Sequence, residues 1–403
     1  MVGGGPAGLF LSYLLARQGV PVTLLESHAD FDRDFRGDTV HPSTLEILDQ
    51  LGLADRLLEM PHGKVRQFRL NTTAGAVTMA SFARLRTKYP FVMMLPQERL
   101  LDFLASQAAM YPSFRIVMGA TVQELVMEDG RVAGVRYQGR DGRHEVRAQL
   151  TVGADGRFSK LRAFAGIEPV KTAPPMDVIW FRLPREAADP PDADGIYVGG
   201  GHFIVILERP RDWQVAYVIL KGSYAALKSG GGAGEIRETV SKLVPWLAGR
   251  VDALGDLRQC AVLSVESSRV PCWHRPGFLL IGDAAHVMSP VGGVGINYAI
   301  QDAVEAANLL GGKLREGRVT DDDLAMVQRR REWPVRVIQR FQGFLQDRIA
   351  AEALRADRPF QIPWVLRVLL AIPVLRDLPA RMIGWGPRPV RVRALASPSI
   401  SGV

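Results

Sequence analysis

Several things are scarce in this sequence, and each scarcity removes a class of protein. Its 403 residues hold two cysteines, Cys260 and Cys272. Two isolated thiols build neither a disulfide framework nor a thiolate metal cluster, and they fit a reducing, cytoplasmic setting. No run of about 18 uncharged apolar residues occurs, so no transmembrane helix is expected. The N-terminus lacks the basic stretch and apolar core of a secretory signal. Internal repeats and low-complexity linkers are absent. A net charge of +8 is spread over the chain, with local density at Arg329-Arg330-Arg331 and near the C-terminus. No helix-turn-helix, zinc knuckle or aromatic RNA-binding motif accompanies it, so a solvated basic surface is expected and no nucleic-acid partner.

What is present points to a folded core of one large interleaved domain or two smaller ones: 47% of residues are hydrophobic and 23% charged. The chain opens MVGGGPAGLF, in which Gly3, Gly5 and Gly8 fit GxGxxG. In such a turn the first glycine permits the bend from strand to helix. The second admits a pyrophosphate to the backbone, and the third lets the helix pack closely on the sheet. Context strengthens the motif. LFLSYLLAR reads as a helix, Gln18-Gly19 as its stop, VPVTLL as a buried strand, and Glu26 ends that strand where an acidic ribose ligand belongs. Only Met1 and Val2 precede the glycines, whereas a central parallel strand is buried on both faces and takes several apolar residues. The expectation is an N-terminally shortened chain, with a short strand that suffices as the alternative.

Further along, STLEILDQLGL reads as an amphipathic helix capped by Ser43 with Glu46 as its capping-box partner. Residues 64–82 alternate as strands, LPQERL opens another helix, and Glu128 to Arg131 forms a hairpin turn. A buried strand at 150–154 runs into Asp155-Gly156, followed by a helix near Ser159. Between 177 and 265 the runs VIWFRL, HFIVIL and WQVAYVIL predict a separate sheet layer, with a helical segment over 228–251. A second buried strand, 278–281, leads to Gly282-Asp283, then a glycine-rich loop and a long helix from about Gly295. The chain is read as helical from Asp322 to about Ala356.

Three motifs thus stand in order: the opening glycine loop with Glu26, Asp155-Gly156, and Gly282-Asp283. Together they resemble the flavoprotein aromatic hydroxylases of the para-hydroxybenzoate hydroxylase type, over roughly residues 1–310. The resemblance implies an α/β fold in which a Rossmann-like FAD-binding domain is interleaved with a mostly antiparallel β-sheet substrate domain and followed by a helical C-terminus. FAD-binding parts would be 1–64, 91–175 and 269–330, substrate-domain parts 65–90 and 176–268, and the helical segment 331–403. It implies one FAD, with NAD(P)H as a transient co-substrate and dioxygen and an aromatic small molecule as reactants. Gly3, Gly5, Ala7 and Gly8 would hold the pyrophosphate, Glu26 the adenosine ribose, and Arg36 would reach the phosphates. Gln97 would lie near the ribityl chain, Val122 would contact adenine through its backbone, and Asp283 after Gly282 would bind ribityl hydroxyls. Pro290, Gly293, Gly295, Ile296 and Asn297 would flank the isoalloxazine ring, where a helix N-terminus stabilises negative charge. Asp155 would serve cofactor or nicotinamide binding, or simply cap its helix. His286 is read as a structural loop residue.

The implied reaction is hydroxylation of an aromatic or polyketide-like molecule through a flavin hydroperoxide. No metal and no catalytic base are assigned. Substrate contacts are sought on the middle sheet among Trp180, Arg182, Tyr197, His202, Tyr217, Lys221 and Tyr224, with core packing or solvated charge as the alternative for each. Alternation puts Trp180 and Arg182 on one face, Ile179 and Phe181 on the other. Competing readings are a geranylgeranyl-reductase-like enzyme, a flavin halogenase (whose WxWxIP motif is not matched by FQIPW at 360–364) and a flavin-binding protein without activity. The proline-broken stretch from Ile362 to Arg393 is read as packing against the FAD domain, with peripheral membrane contact as the alternative.

Overall fold

The computed structural model describes residues 1–32, 37–72, 75–172, 174–191, 193–354 and 372–393. Arg36 lies outside the described residues, as does the stretch 355–371, which includes residues 362–371 of the apolar C-terminal segment.

The molecule is mixed α/β. Its first layer is a parallel sheet of short strands buried on both faces, as VTLLE, TVG and FLL require. Strand Val22–Glu26 pairs with Phe114–Met118, and Thr151–Gly153 pairs with Phe278–Leu280, both in parallel. Val2 fills the gap between the two pairs. It bridges in parallel to Leu25 on one side and to Gly153 on the other, so the position of a central first strand is held by Met1 and Val2. Helix Pro6–Arg17 leaves this point, buries ten of its twelve residues, and packs against helix Gly295–Arg315.

The second layer is a seven-stranded sheet. In spatial order its strands are 261–264, 176–184, 212–220, 202–208, 195–199, 67–72 and 75–81. Every neighbour is antiparallel except 195–199 with 67–72, which run in parallel with Ile196 opposite Leu70. A separate three-stranded meander, 121–147, turns at Asp129 and Gly130. Both have positive φ (49° and 76°), as the hairpin signal at that point predicts.

Two local expectations need correction. Helix Pro42–Gln50 begins at His41, with Pro42 in its first turn and no side-chain cap; Ser43 is already inside the helix and buried. Proline at N1 presets the helical φ and makes the hydroxyl cap dispensable. The segment 228–251 is not one helix but three pieces, Tyr224–Ser229, Gly232–Leu243 and a 3-10 stretch Pro245–Ala253, broken by glycine and proline. Among the described residues of the C-terminal region, 321–345, 351–353 and 373–384 are helical and 385–393 are not. Helix Asp321–Leu345 starts with a capping box between Thr320 and Asp323, and a π-turn at Gln346–Ala350 follows it. Among the described residues no helix is long and apolar enough to cross a membrane.

Candidate functional site

The opening loop, the Asp155 turn and the Gly282 turn, more than a hundred residues apart in sequence, meet at the edge of the parallel sheet. Gly3 has φ +97°, and a Cβ there would lie 2.4 Å from the Ala154 carbonyl oxygen and 2.8 Å from Asp155 Cα. A Cβ on Gly8 would lie 2.0 Å from the Gly3 oxygen, so only glycine lets the helix start against the turn. Gly5 is different. Its φ of −75° suits any residue, and a Cβ there would meet nothing within 4 Å. Gly5 is thus a glycine that keeps a space free. The helix beginning at Pro6 has no side-chain cap, so its first amides and its positive dipole end face that space. A Cβ on Gly282 would come within 3.0 Å of the Ala7 Cβ, which brings the third motif against the same helix end. Asp283 follows it, half-buried.

Glu26 is buried at the end of its strand. It accepts from the Gly4 N–H at 2.7 Å and from the backbone N–H of His28 at 2.9 Å. Asp155 turns toward the next helix: Ser159 Oγ donates to it at 2.6 Å and the Leu161 N–H at 3.1 Å, while Ser159 is itself the N-cap, its Oγ accepting from the Arg162 N–H at 2.9 Å. Burial raises the Asp155 pKa against the hydrogen bonds it accepts. Arg162, read from the sequence as a surface residue of that helix, is instead buried and ties this motif to the next by donating to the Ala284 carbonyl at 3.0 Å.

The glycine-rich loop after Pro290 makes the remaining wall. Gly292 and Gly293 both have left-handed φ, and a Cβ on Gly293 would lie 2.5 Å from Thr39 Oγ1, whose hydroxyl donates to the Gly293 carbonyl at 2.7 Å. Helix Gly295–Arg315 starts without a side-chain cap, and a Cβ on Gly295 would meet nothing within 4 Å. Ile296 packs beside Gly37. Asn297 is 2% exposed, and its Oδ1 accepts from the His41 N–H at 2.9 Å and the Thr44 hydroxyl at 2.7 Å. Its side chain therefore anchors the 39–44 segment to this helix. Gln97 is the half-buried first residue of helix Gln97–Ala108, and Val122 is a buried strand residue.

The sheet candidates separate onto two faces. Tyr217 is 2% exposed and lies in the cluster covered by Gly232–Leu243, with Ile179, Phe181 and Trp213. Tyr197 and Tyr224 pack against that same cluster. The Tyr197 hydroxyl donates to the Ala193 carbonyl, and the Tyr217 hydroxyl pairs with His202 Nδ1 at 2.7 Å. These residues were sought as substrate contacts, and the structure places them on the helix-covered side, away from the glycine-rich loop. Lys221 is held by Asp177 at 2.8 Å and by the Val265 carbonyl. Trp180 lies on the other face, in the cluster that Val291 of the glycine-rich loop joins. Arg182 follows on that face, exposed, and its charge acts on Asp38 and Glu98.

Asp38 and Arg209 were missed. Asp38 stands between Gly37 and Thr39, both of which touch the glycine-rich loop or the helix after it. Arg209 Nε lies 3.4 Å from its carboxylate. Burial raises the Asp38 pKa, opposed by the charges of Arg209 and Arg182. No periodicity marks either residue, since both sit in turns. Among the described residues no group of three or more His, Cys, Asp or Glu could hold a metal ion.

Two uncapped helix ends, each fronted by a glycine that keeps space open and brought together through Gly282, are the marks of a dinucleotide-binding enzyme. The comparisons with known proteins agree. The family described as "FAD binding domain" matches residues 1–340. The 6-methylpretetramide 4-monooxygenase of Streptomyces rimosus is 33% identical over 396 residues, covering 98% of this chain and 93% of that one. Pentachlorophenol 4-monooxygenase of Sphingobium chlorophenolicum is 27% identical over 319 residues, 75% of this chain and 56% of that one. Among solved structures, PqsL of Pseudomonas aeruginosa, described as a probable FAD-dependent monooxygenase, shares the fold. Its TM-score is 0.75 at 18% identity, covering 88% of this chain and 96% of that one. The chain belongs to the FAD-dependent aromatic hydroxylase family, and it is a flavoprotein monooxygenase.

Proposed function

We propose that this protein uses FAD, reduced by NAD(P)H, to transfer one atom of dioxygen to an aromatic, polyketide-like small molecule. The observation that carries the reading is the convergence of the Gly5, Gly282 and Gly295 loops opposite the Trp180 face of the seven-stranded sheet. The fold reading that accompanies it is a Rossmann-like FAD-binding unit interrupted twice by the substrate sheet, with the helical segment from 331 closing behind. That sheet collects strands from 67–81 and 176–264, and the parallel sheet collects strands from between and around them.

In this reading the amides of Ala7 and Gly8 face the pyrophosphate across the space at Gly5, Glu26 meets the adenosine ribose, and Asp283 meets the ribityl hydroxyls. The helix beginning at Gly295 directs its positive end toward the pyrimidine side of the ring system. Bound FAD would supply two-electron transfer from the nicotinamide and activation of dioxygen. The chain's own part is to orient the substrate and keep water out. Trp180, Met79, Ile196, Val205 and Leu263, partly buried on one face with Val291, form an apolar wall for an aromatic ring system. Arg182, on the same strand face as Trp180, brings positive charge to this side, which favours a phenolate over a phenol. The relationship to the 6-methylpretetramide enzyme supports a polycyclic substrate over a single ring.

The test is turnover of a tetracyclic polyketide phenol by the FAD-loaded protein under isotope-labelled dioxygen, with NADH and NADPH supplied separately. One labelled oxygen in the product is expected. Reduced product without label would sink the monooxygenase reading and favour the reductase. A Gly5→Val variant checks the cradle. Its side chain enters open space, so apoprotein stability should stay within about 0.5 kcal/mol of wild type while FAD uptake is lost.

A further inference from the structure

The Gly282-Asp283 turn is held from inside the molecule by a buried charge network that the cofactor reading leaves unused. Asp302, on helix Gly295–Arg315, is 0% exposed. Its Oδ2 accepts the Gly282 N–H at 3.1 Å and faces His286 Nε2 at 2.6 Å. Its Oδ1 accepts Arg331 Nε at 2.7 Å. Arg331 comes from helix Asp321–Leu345, is 1% exposed, and lies with its guanidinium carbon 5.5 Å from the centre of the Tyr298 ring. Its two terminal nitrogens have no hydrogen-bond partner among the described residues. Burial would raise the Asp302 pKa, but His286 and Arg331 outweigh it and the carboxyl is held below its ordinary value.

Burying an ion pair is costly, and an apolar trio of the same volume would join these segments at least as well. What an apolar trio lacks is an acceptor for the Gly282 amide. That amide is the last fixed point before Asp283, and Gly282 itself rests against Ala7 at the start of the first helix. We propose that Asp302, oriented by Arg331 and His286, is a positioning residue that sets the Gly282-Asp283 turn against the first helix end for FAD. The proposal rests on the cofactor reading above. It makes helix Asp321–Leu345, to which no cradle residue is assigned, a determinant of cofactor affinity.

The experiment titrates FAD into apoprotein, follows flavin fluorescence quenching, and measures apoprotein melting in parallel. The variants are Asp302→Asn, Arg331→Met, Arg331→Lys and, as a control, Asp189→Asn. Asp189 is a carboxylate whose side chain is 5% exposed, and it holds Arg250 and Trp213 on the far side of the seven-stranded sheet. Asp302→Asn and Arg331→Met should raise the FAD dissociation constant by about tenfold or more, the worth of one charge-assisted hydrogen bond. Arg331→Lys should recover most of that affinity. Asp189→Asn should lower the melting temperature as much while leaving FAD affinity within about twofold. Equal FAD affinity in wild type and Asp302→Asn would overturn the proposal, as would an equal loss in Asp189→Asn. If Asp302→Asn does not fold, the Arg331 pair decides: indistinguishable FAD affinities for the Lys and Met variants would overturn it. Wild-type apoprotein that takes up no FAD would overturn the cofactor reading along with it.

Discussion

The two faces of the seven-stranded sheet are made by the same strands and differ in what covers them. One is closed. Ile179, Phe181, Ile206, Trp213 and Val215 lie under helix Gly232–Leu243 and the 3-10 stretch after it, nearly all without solvent contact. The other is left partly open. Trp180, Met79, Ile196, Val205 and Leu263 keep some exposure, and the glycine-rich loop at Val291 reaches toward them. Alternation along a strand supplies both faces at once, so their difference in role comes from the partners and not from the strands. The closed face stabilises the fold. The open face leaves apolar area unburied in the free protein, and a substrate can cover it.

The sharpest way to break this contrast is Trp213→Ala. The indole is 1% exposed and donates to Asp189 at 2.6 Å. Its loss should cost about 3–5 kcal/mol in denaturant unfolding, with KM for the aromatic substrate unchanged in the fraction that stays folded. The next effect is a pH response that separates the two sides. His41, fully buried beside the glycine-rich loop, has its pKa lowered by burial to about 4, and His202 on the helix side is lowered by the same cause. A histidine whose folded pKa lies below its unfolded value favours the fold above the unfolded pKa. That contribution drains as pH falls toward the folded one. Stability should therefore fall between pH 6.5 and about 4, by roughly 3 kcal/mol from His41 alone. Urea unfolding at stepped pH should show this slope shrink more in His41→Asn, measured against its own neutral-pH stability, than in His202→Asn. The smallest stability effect is expected on the open face: Trp180→Ala should cost only about 1 kcal/mol yet shift KM for a polycyclic substrate by about tenfold. Were Trp180→Ala to destabilise as much as Trp213→Ala and leave KM alone, the assignment of the faces would fail.

The opening glycine loop was legible because each of its residues answers to a local constraint. Gly8 is forced by a contact within the turn and Gly3 by its left-handed φ, although the Cβ that Gly3 avoids would strike the distant Ala154, and the helix and strand that follow carry their own periodicity. The positions of Glu26, Gly282 and Gly295 followed from the same strand-turn-helix grammar. What escaped was set by distant packing. Which sheet face is covered depends on where residues 232–243 settle, and strand alternation is silent about that, so it could not show that Tyr197 and Tyr217 lie on the helix-covered side. Asn297 stands in the right loop, but its side chain is spent on His41 and Thr44, more than 250 residues earlier. Nothing in the sequence singles out Asp302, and Arg331, read as part of a solvated basic surface, is instead 1% exposed. Only tertiary contact shows that they meet under Gly282. The parallel contact between 67–72 and 195–199 was equally invisible, since nothing in either strand names its partner.

That last pairing has a consequence for how the protein is made. Leu70 and Ile196 sit opposite each other across about 125 residues of chain. At ~5–20 residues per second, a ribosome takes roughly 6–25 s to deliver the second after the first. Throughout that interval the hairpin 67–81 has left the exit tunnel with one edge unmatched, the condition in which strands stick to other chains. Soluble yield of this protein should therefore respond to elongation speed and to chaperones that shield nascent strand edges, independently of the stability of the finished fold.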